Sequence, residues 1–375
     1  MRRPDQSTSG RLMGIEFKLT DRELPASPAF IRFLAGRLAR TELAPEIWPN
    51  QTSEGLAQVE AKERELAVAA AAERVMNDPV GRRWVTQAYT LLIAFLTGDL
   101  EQLTALQSRF HFISVIGIPR TGGSYLTAEL YRSLGMDPHT IPGALAHDSF
   151  PEAGPFELTS GVNSWIMTLK TIAEYLTMVE VFFAGRRPHA GKIVVPKKLT
   201  QGMYAADVFQ RVLGPMSEYV LTVRHPVAAC VSTYEKSGGL PADGRLAVRS
   251  NIEQWCRRDL EHAGCNAERL ASMGYFDAYL RYWEQYHLLV PIAGLARAAK
   301  LRIVAYGADT MRALAQHYHD FHGSGLRAAA FHVSDTAKRR HPEWVERAGP
   351  AIERVCGVWR ASGLAFPADE IAGCA

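Results

Sequence analysis

The segment Gly117-Ile-Pro-Arg-Thr-Gly-Gly-Ser124 combines Gly-x-x-x-x-Gly spacing with one basic residue, Arg120, and a terminal hydroxyl. Successive backbone N–H groups can turn inward around an anion only where no side chain blocks them, so Gly122 and Gly123 are the residues such a loop requires. Ser124 adds a hydroxyl directly after the glycines, between a predicted strand and a predicted helix. Gly123 stands where a nucleotide triphosphatase loop carries its lysine, which leaves Arg120 as the loop's own cation.

A second segment, Tyr219-Val-Leu-Thr-Val-Arg-His-Pro-Val-Ala-Ala-Cys-Val-Ser-Thr-Tyr234, reads as a strand ended by Arg224 and a helix opening near Pro226, with Ser232 about two turns in. A guanidinium fork and a hydroxyl converging on one point suit a second phosphate. Two separate anion sites imply a doubly charged nucleotide. The plainer alternatives are a tight turn that binds nothing, an arginine salt-bridged at a strand end and a buried helix serine.

The elements that must position these residues are legible in the pattern. HFISVIGIP, KIVVP, EYVLTVR and LRIVAY are short β-rich apolar runs, and each leads into a helical pattern. Four such units predict an α/β fold with a P-loop-like parallel β-sheet flanked by helices, in which both motifs face a crevice at the carboxyl edge. The stretch from Leu246 to Ala298 reads as a helical insertion between the third and fourth strands. Residues 1–109 read as a helical N-terminal region, in which Asp78-Pro79 breaks one helix and starts the next and Thr97-Gly98-Asp99 offers another stop. Residues 110–375 form the α/β domain.

Bulk composition narrows the rest. A length of 375 residues with 47% hydrophobic content supports a large buried core, and a formal net charge of +3 argues against a nucleic-acid surface. The five cysteines show neither a CxxC pair nor scaffold spacing, so reduced thiols and a cytoplasmic location are expected. The apolar stretch near Tyr89 to Leu96 is too short to span a bilayer, and no export segment is expected.

Both motifs resemble the sulfotransferase superfamily: GIPRTGGSYL looks like its 5′-phosphosulfate loop, and VRHPVAACVSTY looks like its 3′-phosphate motif. The resemblance covers roughly residues 110 to 310, and LRIVAYGADTM looks like a later strand and turn of the same fold. It implies 3′-phosphoadenosine 5′-phosphosulfate as co-substrate, no metal, and a small-molecule acceptor hydroxyl, with an amine as the lesser option. By this likeness Arg120 neutralises the bridging oxygen and Thr121, Gly122, Gly123, Ser124 and Tyr125 wrap the 5′-phosphate. Arg224 and Ser232 hold the 3′-phosphate. Gly123 departs from the hydroxyl residue common at its position.

Sulfuryl transfer also needs a base for the acceptor proton. The candidates lie in GALAHDSFPEAGPFE, expected to cross the crevice mouth: His147, Asp148, Glu152 and Glu157, with Glu152 favoured. Lys197 and Lys198, in KIVVPKKLTQG, fall where cytosolic members of the family keep their catalytic histidine region, and a lysine there suits stabilisation of sulfuryl oxygens. Lys338, Arg339 and Arg340 form a basic segment that could close on the donor. For each of these the alternative is a solvated surface charge. His317, His319 and His322 read as surface or packing residues, and YFDAYLRYWEQYH as core. A P-loop kinase or ATPase, and a non-catalytic nucleotide-binding scaffold, remain as rivals. The oligomeric state stays open, a homodimer included.

Overall fold

Alternation of apolar side chains along a strand requires cover on both faces of a sheet, and that requirement organises this chain. The computed structural model describes residues 26–39, 54–99, 101–148, 162–186, 188–214, 217–295, 300–333 and 340–373. Strands β1 (Phe110–Ile116), β2 (Ile193–Lys198), β3 (Glu218–Val223) and β4 (Leu301–Ala305) form one sheet of order β2-β1-β3-β4. Every neighbouring pair is parallel. All four strands expected from the sequence are present, and the class is α/β as read.

Helices α1 (Pro28–Ala39), α2 (Glu54–Asn77), α3 (Pro79–Thr97) and α4 (Glu101–Arg109) precede the sheet. Between β1 and β2 lie α5 (Gly123–Ser133), α6 (Gly143–Ala146) and α7 (Val162–Phe183), and α8 (Ala206–Leu213) links β2 to β3. The insertion before β4 comprises α9 (Pro226–Lys236), α10 (Asn251–His262), α11 (Ala267–Ser272) and α12 (Tyr275–Ile292). The chain ends in α13 (Ala308–His322), α14 (Pro342–Ala361) and α15 (Ala368–Gly373).

Strand parity sorts the core. Ile113, Val115 and Val220 pack with Leu126 and Leu130 of α5 and Met311 and Leu314 of α13. Phe110, Phe112, Ile116, Leu221 and Val223 point the other way, into a larger core that includes α7, α9 and α12. Phe30 and Phe33 of α1 join that same core, and Ser27 ties the start of α1 to α7 through a 2.9 Å bond from its N–H to Glu174 Oε1. Local signals set the helix ends: Asp78 caps α3 through the N–H groups of Val80 and Gly81, and Gly98 closes it in a left-handed turn. Among the described residues no helix is long and apolar enough to cross a membrane.

The strand order has a functional consequence. From β1 the chain moves outward to β2, then returns past β1 to place β3 on its other side. The connections leaving β1 and β3 therefore diverge, and a crevice opens between their carboxyl ends. The four strands run into Gly117, Lys198, Arg224 and Tyr306 along that edge.

Candidate functional site at the carboxyl edge of the sheet

The loop after β1 is tied down from several sides. Gly117 has φ 140°, and a Cβ there would lie 2.4 Å from Thr222 Oγ1 and 2.6 Å from the Thr222 carbonyl oxygen, so glycine alone lets the loop pass this close to β3. Its N–H donates to the Tyr286 hydroxyl at 3.0 Å, and that hydroxyl donates onward to the Thr200 carbonyl at 2.9 Å. Buried Thr121 donates to the Ile118 carbonyl and shares a 2.7 Å hydrogen bond with Thr222 Oγ1. Pro119 is buried beneath the loop, and Ser124 is exposed beside it. Gly122, at φ 89°, opens α5 with no side-chain cap, so the first N–H groups of the helix and its partial positive charge are left for an outside acceptor.

The two motifs meet through backbone and side chain. Arg120 adopts φ 73°, a left-handed conformation that costs an L-residue about 1–2 kcal/mol. In that conformation its carbonyl accepts Arg224 Nη1 at 3.0 Å and its Nε donates to Ser232 Oγ at 3.0 Å. Arg224 is 4% exposed, its guanidinium lies 4.0 Å from the Tyr306 ring centroid, and its own carbonyl accepts Trp283 Nε1 at 2.9 Å. Burial pulls its pKa below the ordinary arginine value. Among the described residues its Nε has no partner, and no carboxylate pairs with Arg224 or Arg120. A buried cation in this state is costly until an anion arrives.

The end of β2 supplies further charge. The space over Gly123 is taken by the stem of Lys198, whose Cε would lie 3.3 Å from a Cβ at that glycine. A lysine from the neighbouring strand thus enters the region that a loop lysine would fill. Lys198 Nζ bonds Asp148 Oδ2 at 2.5 Å, and Asp148 Oδ1 accepts the Thr200 N–H at 2.6 Å. Burial opposes the Asp148 charge, yet the charge and hydrogen bond of Lys198, with His147 and the Thr200 N–H, hold its pKa below the usual carboxylate value. Lys197, on the opposite face and 3% exposed, donates to the carbonyls of Ala144 at 2.8 Å and His147 at 2.7 Å and sits 4.6 Å from the Tyr175 ring centroid. Burial lowers its pKa to about 7 against the attraction of Asp148.

His147 is exposed at the mouth. Although solvent reaches the ring, the protein packed around it and then the charges of Lys198, Lys197 and Lys236 lower its pKa to about 4, with Asp148 opposing. Lys236 lies one turn beyond Ser232 on α9, and partial burial followed by the charges of Arg120 and Lys198 depresses its pKa. No carboxylate pairs with Lys236 among the described residues, because its neighbour Glu235 is bonded to Arg340. Sequence reading missed Lys236; its signal was i, i+4 spacing from Ser232. It also took Trp283 and Tyr286 only as core, whereas both hydrogen-bond the backbone of the site.

The sequence-derived set is thus gathered in part. Pro119 through Ser124, Arg224, Ser232, His147, Asp148 and Lys198 line one edge. Tyr125 turns its hydroxyl to the Ala329 carbonyl at 2.7 Å and its ring to Phe331. Arg340 is paired with Glu235 of α9, three residues after Ser232. Glu152, Glu157, Lys338 and Arg339 lie outside the described residues. His319 bonds Glu129 and Ser324, and His322 bonds Ser133, in keeping with packing roles.

No protein-family model matches this chain, and no curated protein matches it. Among solved structures, the crystal structure of sulfotransferase STF1 from Mycobacterium tuberculosis H37Rv is similar at 13% identity and a TM-score of 0.34, covering 88% of this chain and 92% of that one.

Proposed function

We propose that this chain is a sulfotransferase that moves a sulfuryl group from 3′-phosphoadenosine 5′-phosphosulfate to a hydroxyl of a small or lipidic metabolite, an amine being the lesser alternative. The observation that carries the reading is Arg224: a buried guanidinium that among the described residues has no partner for its Nε and no carboxylate, bonded to the carbonyl of Arg120 in the loop after β1. A nucleotide with phosphate at both its 3′ and 5′ positions satisfies both points at once.

The residues fit the donor in the following way. Arg224 and Ser232 hold the 3′-phosphate, while the uncapped start of α5 and the N–H groups of the Gly122–Ser124 turn hold the 5′-phosphate. Arg120 neutralises charge that builds on the bridging oxygen as the sulfuryl group leaves. Lys198, poised over Gly123, neutralises the sulfuryl oxygens. Preorganised cations that need no rearrangement during transfer are the main source of rate in such chemistry.

The test is conversion of ³⁵S-labelled donor to its 3′,5′-bisphosphate in the presence of a metal chelator. Metal-free release of the bisphosphate is expected. Turnover that instead requires Mg²⁺ and ATP would replace this reading with a P-loop kinase or ATPase, and nucleotide binding with no turnover of either donor would favour a scaffold.

A further inference from the structure

We infer that Tyr286 is a positioning residue whose hydroxyl holds the Lys198–Asp148 pair at a fixed distance from the loop after β1, so that Lys198 meets the sulfuryl group of the bound donor. The inference rests on the sulfotransferase reading.

The register of β1 and β2 runs as far as Val115 opposite Lys198, and the Leu199 N–H still reaches the Val115 carbonyl at 2.8 Å. Just beyond that point the two segments part, one leading to α5 and the other to α8. Tyr286, 0% exposed on α12, bridges them: its hydroxyl accepts the Gly117 N–H at 3.0 Å and donates to the Thr200 carbonyl at 2.9 Å. Burial, against the effect of the Gly117 bond, raises its pKa above the ordinary tyrosine value, so the hydroxyl keeps the proton that its second bond needs. One turn earlier on the same helix, Trp283 Nε1 donates to the Arg224 carbonyl at 2.9 Å. One face of α12 therefore fixes the carboxyl ends of β1, β2 and β3 against one another.

From Thr200 the constraint passes to a charged pair. The Thr200 N–H donates to Asp148 Oδ1 at 2.6 Å, and Asp148 Oδ2 holds Lys198 Nζ at 2.5 Å. Lys198 in turn lays its Cε 3.3 Å from where a Cβ on Gly123 would lie, at the start of α5. A ring is thereby closed, from Gly117 through Tyr286, Thr200, Asp148 and Lys198 back to the same loop at Gly123. An ammonium carries three donors and Asp148 takes one, so Lys198 enters the region above the loop with charge and donors for a second anion. A tyrosine that only filled the core would need one partner for its hydroxyl. This one gives its donor and its acceptor to two different segments, and those segments carry the groups on either side of the transferred sulfur. Misplacement by about 1 Å costs such chemistry about 10²-fold, which is the scale of error the bridge prevents.

The experiment is calorimetric titration, in the presence of chelator, of two nucleotides that differ only by the sulfuryl group: 3′-phosphoadenosine 5′-phosphosulfate and the 3′,5′-bisphosphate. The proteins are wild type, Tyr286→Phe, Lys198→Met and the double variant. Phenylalanine keeps the ring and removes the bridge. Tyr286→Phe should weaken the phosphosulfate by about tenfold, the effect of one charged hydrogen bond, and the bisphosphate by less than about threefold. Lys198→Met should show the same split, and the double variant should lie within about twofold of Lys198→Met, because the two residues act as a unit. Equal weakening of both nucleotides by Tyr286→Phe, no change in either, or effects of the two substitutions that multiply would overturn the assignment while leaving the donor site intact. A Tyr286→Phe or Lys198→Met chain that binds neither nucleotide also overturns it and makes the ring a folding element, as does a wild type that binds the bisphosphate but not the phosphosulfate. A wild type that binds neither nucleotide overturns the sulfotransferase reading itself.

Discussion

Arg224→Met separates a residue kept for binding from one kept for folding. The substitution retains a long apolar stem but removes a guanidinium that is 4% exposed and has an unpartnered Nε. What folding loses is one hydrogen bond to the Arg120 carbonyl and a cation–π contact with Tyr306, together about 2 kcal/mol. What it gains is relief from burying a charge with no carboxylate partner, which costs several kcal/mol. Stability in urea should therefore stay level or rise by about 1–2 kcal/mol. Binding moves the other way: charged hydrogen bonds to a phosphate contribute about 1.5–3 kcal/mol each, so loss of the fork should cost about 3 kcal/mol, or about two decades in Kd for the 3′,5′-bisphosphate. The assay pairs urea unfolding with calorimetry. A variant that loses more than about 2 kcal/mol of stability while its affinity is unchanged would refute the argument and make Arg224 a structural residue.

Other expectations follow from the same geometry. Gly117→Ala forces a side chain to φ 140° and against Thr222 at 2.4 Å, and should destabilise by about 3 kcal/mol or more in urea unfolding, since strained backbone and overpacking each cost about 1–3 kcal/mol. Ser232→Ala frees Arg120 Nε and removes a phosphate donor; the Kd for the bisphosphate should rise by about 3- to 10-fold with little change in melting temperature. Lys197 titrates at about 7 in the folded chain but at about 10.4 when unfolded, so between those values the unfolded state holds a proton that the folded state lacks. Its contribution to stability therefore rises with pH across that window. Comparison of wild type with Lys197→Met by pH-dependent unfolding should show that rise in wild type alone, and parallel curves would contradict it.

The sequence made the sheet legible because each strand is a short apolar run that feeds a helical pattern through Gly, Pro or a charged residue. Asp78 and Gly98 announced their turns for the same local reason. The loop from Gly117 to Ser124 was legible as a candidate anion site because its glycines fall at fixed spacing between a strand and a helix, and Arg224 because it ends a strand in an otherwise buried run. What sequence could not give was lateral proximity. That the stem of Lys198 lies over Gly123 depends on β2 being the neighbour of β1, a fact of strand order. The link from Tyr286 to Gly117 joins residues far apart in the chain, and the grip of Lys197 on the His147 carbonyl uses a backbone atom, to which residue type gives no clue. Residue type gives no clue to the surroundings of Lys236 at the end of α9, where partial burial and then the charges of Arg120 and Lys198 depress its pKa.

The central claim is a metal-independent site for a nucleotide with both 3′ and 5′ phosphates, and it is tested most directly by calorimetric titration of 3′-phosphoadenosine 5′-phosphate, ADP, and ATP with Mg²⁺ into the full chain. The 3′,5′-bisphosphate is expected to bind in the presence of chelator, and more tightly than ADP by the contribution of Arg224 and Ser232. Preference for ATP with Mg²⁺, or equal affinity for ADP and the bisphosphate, would contradict it.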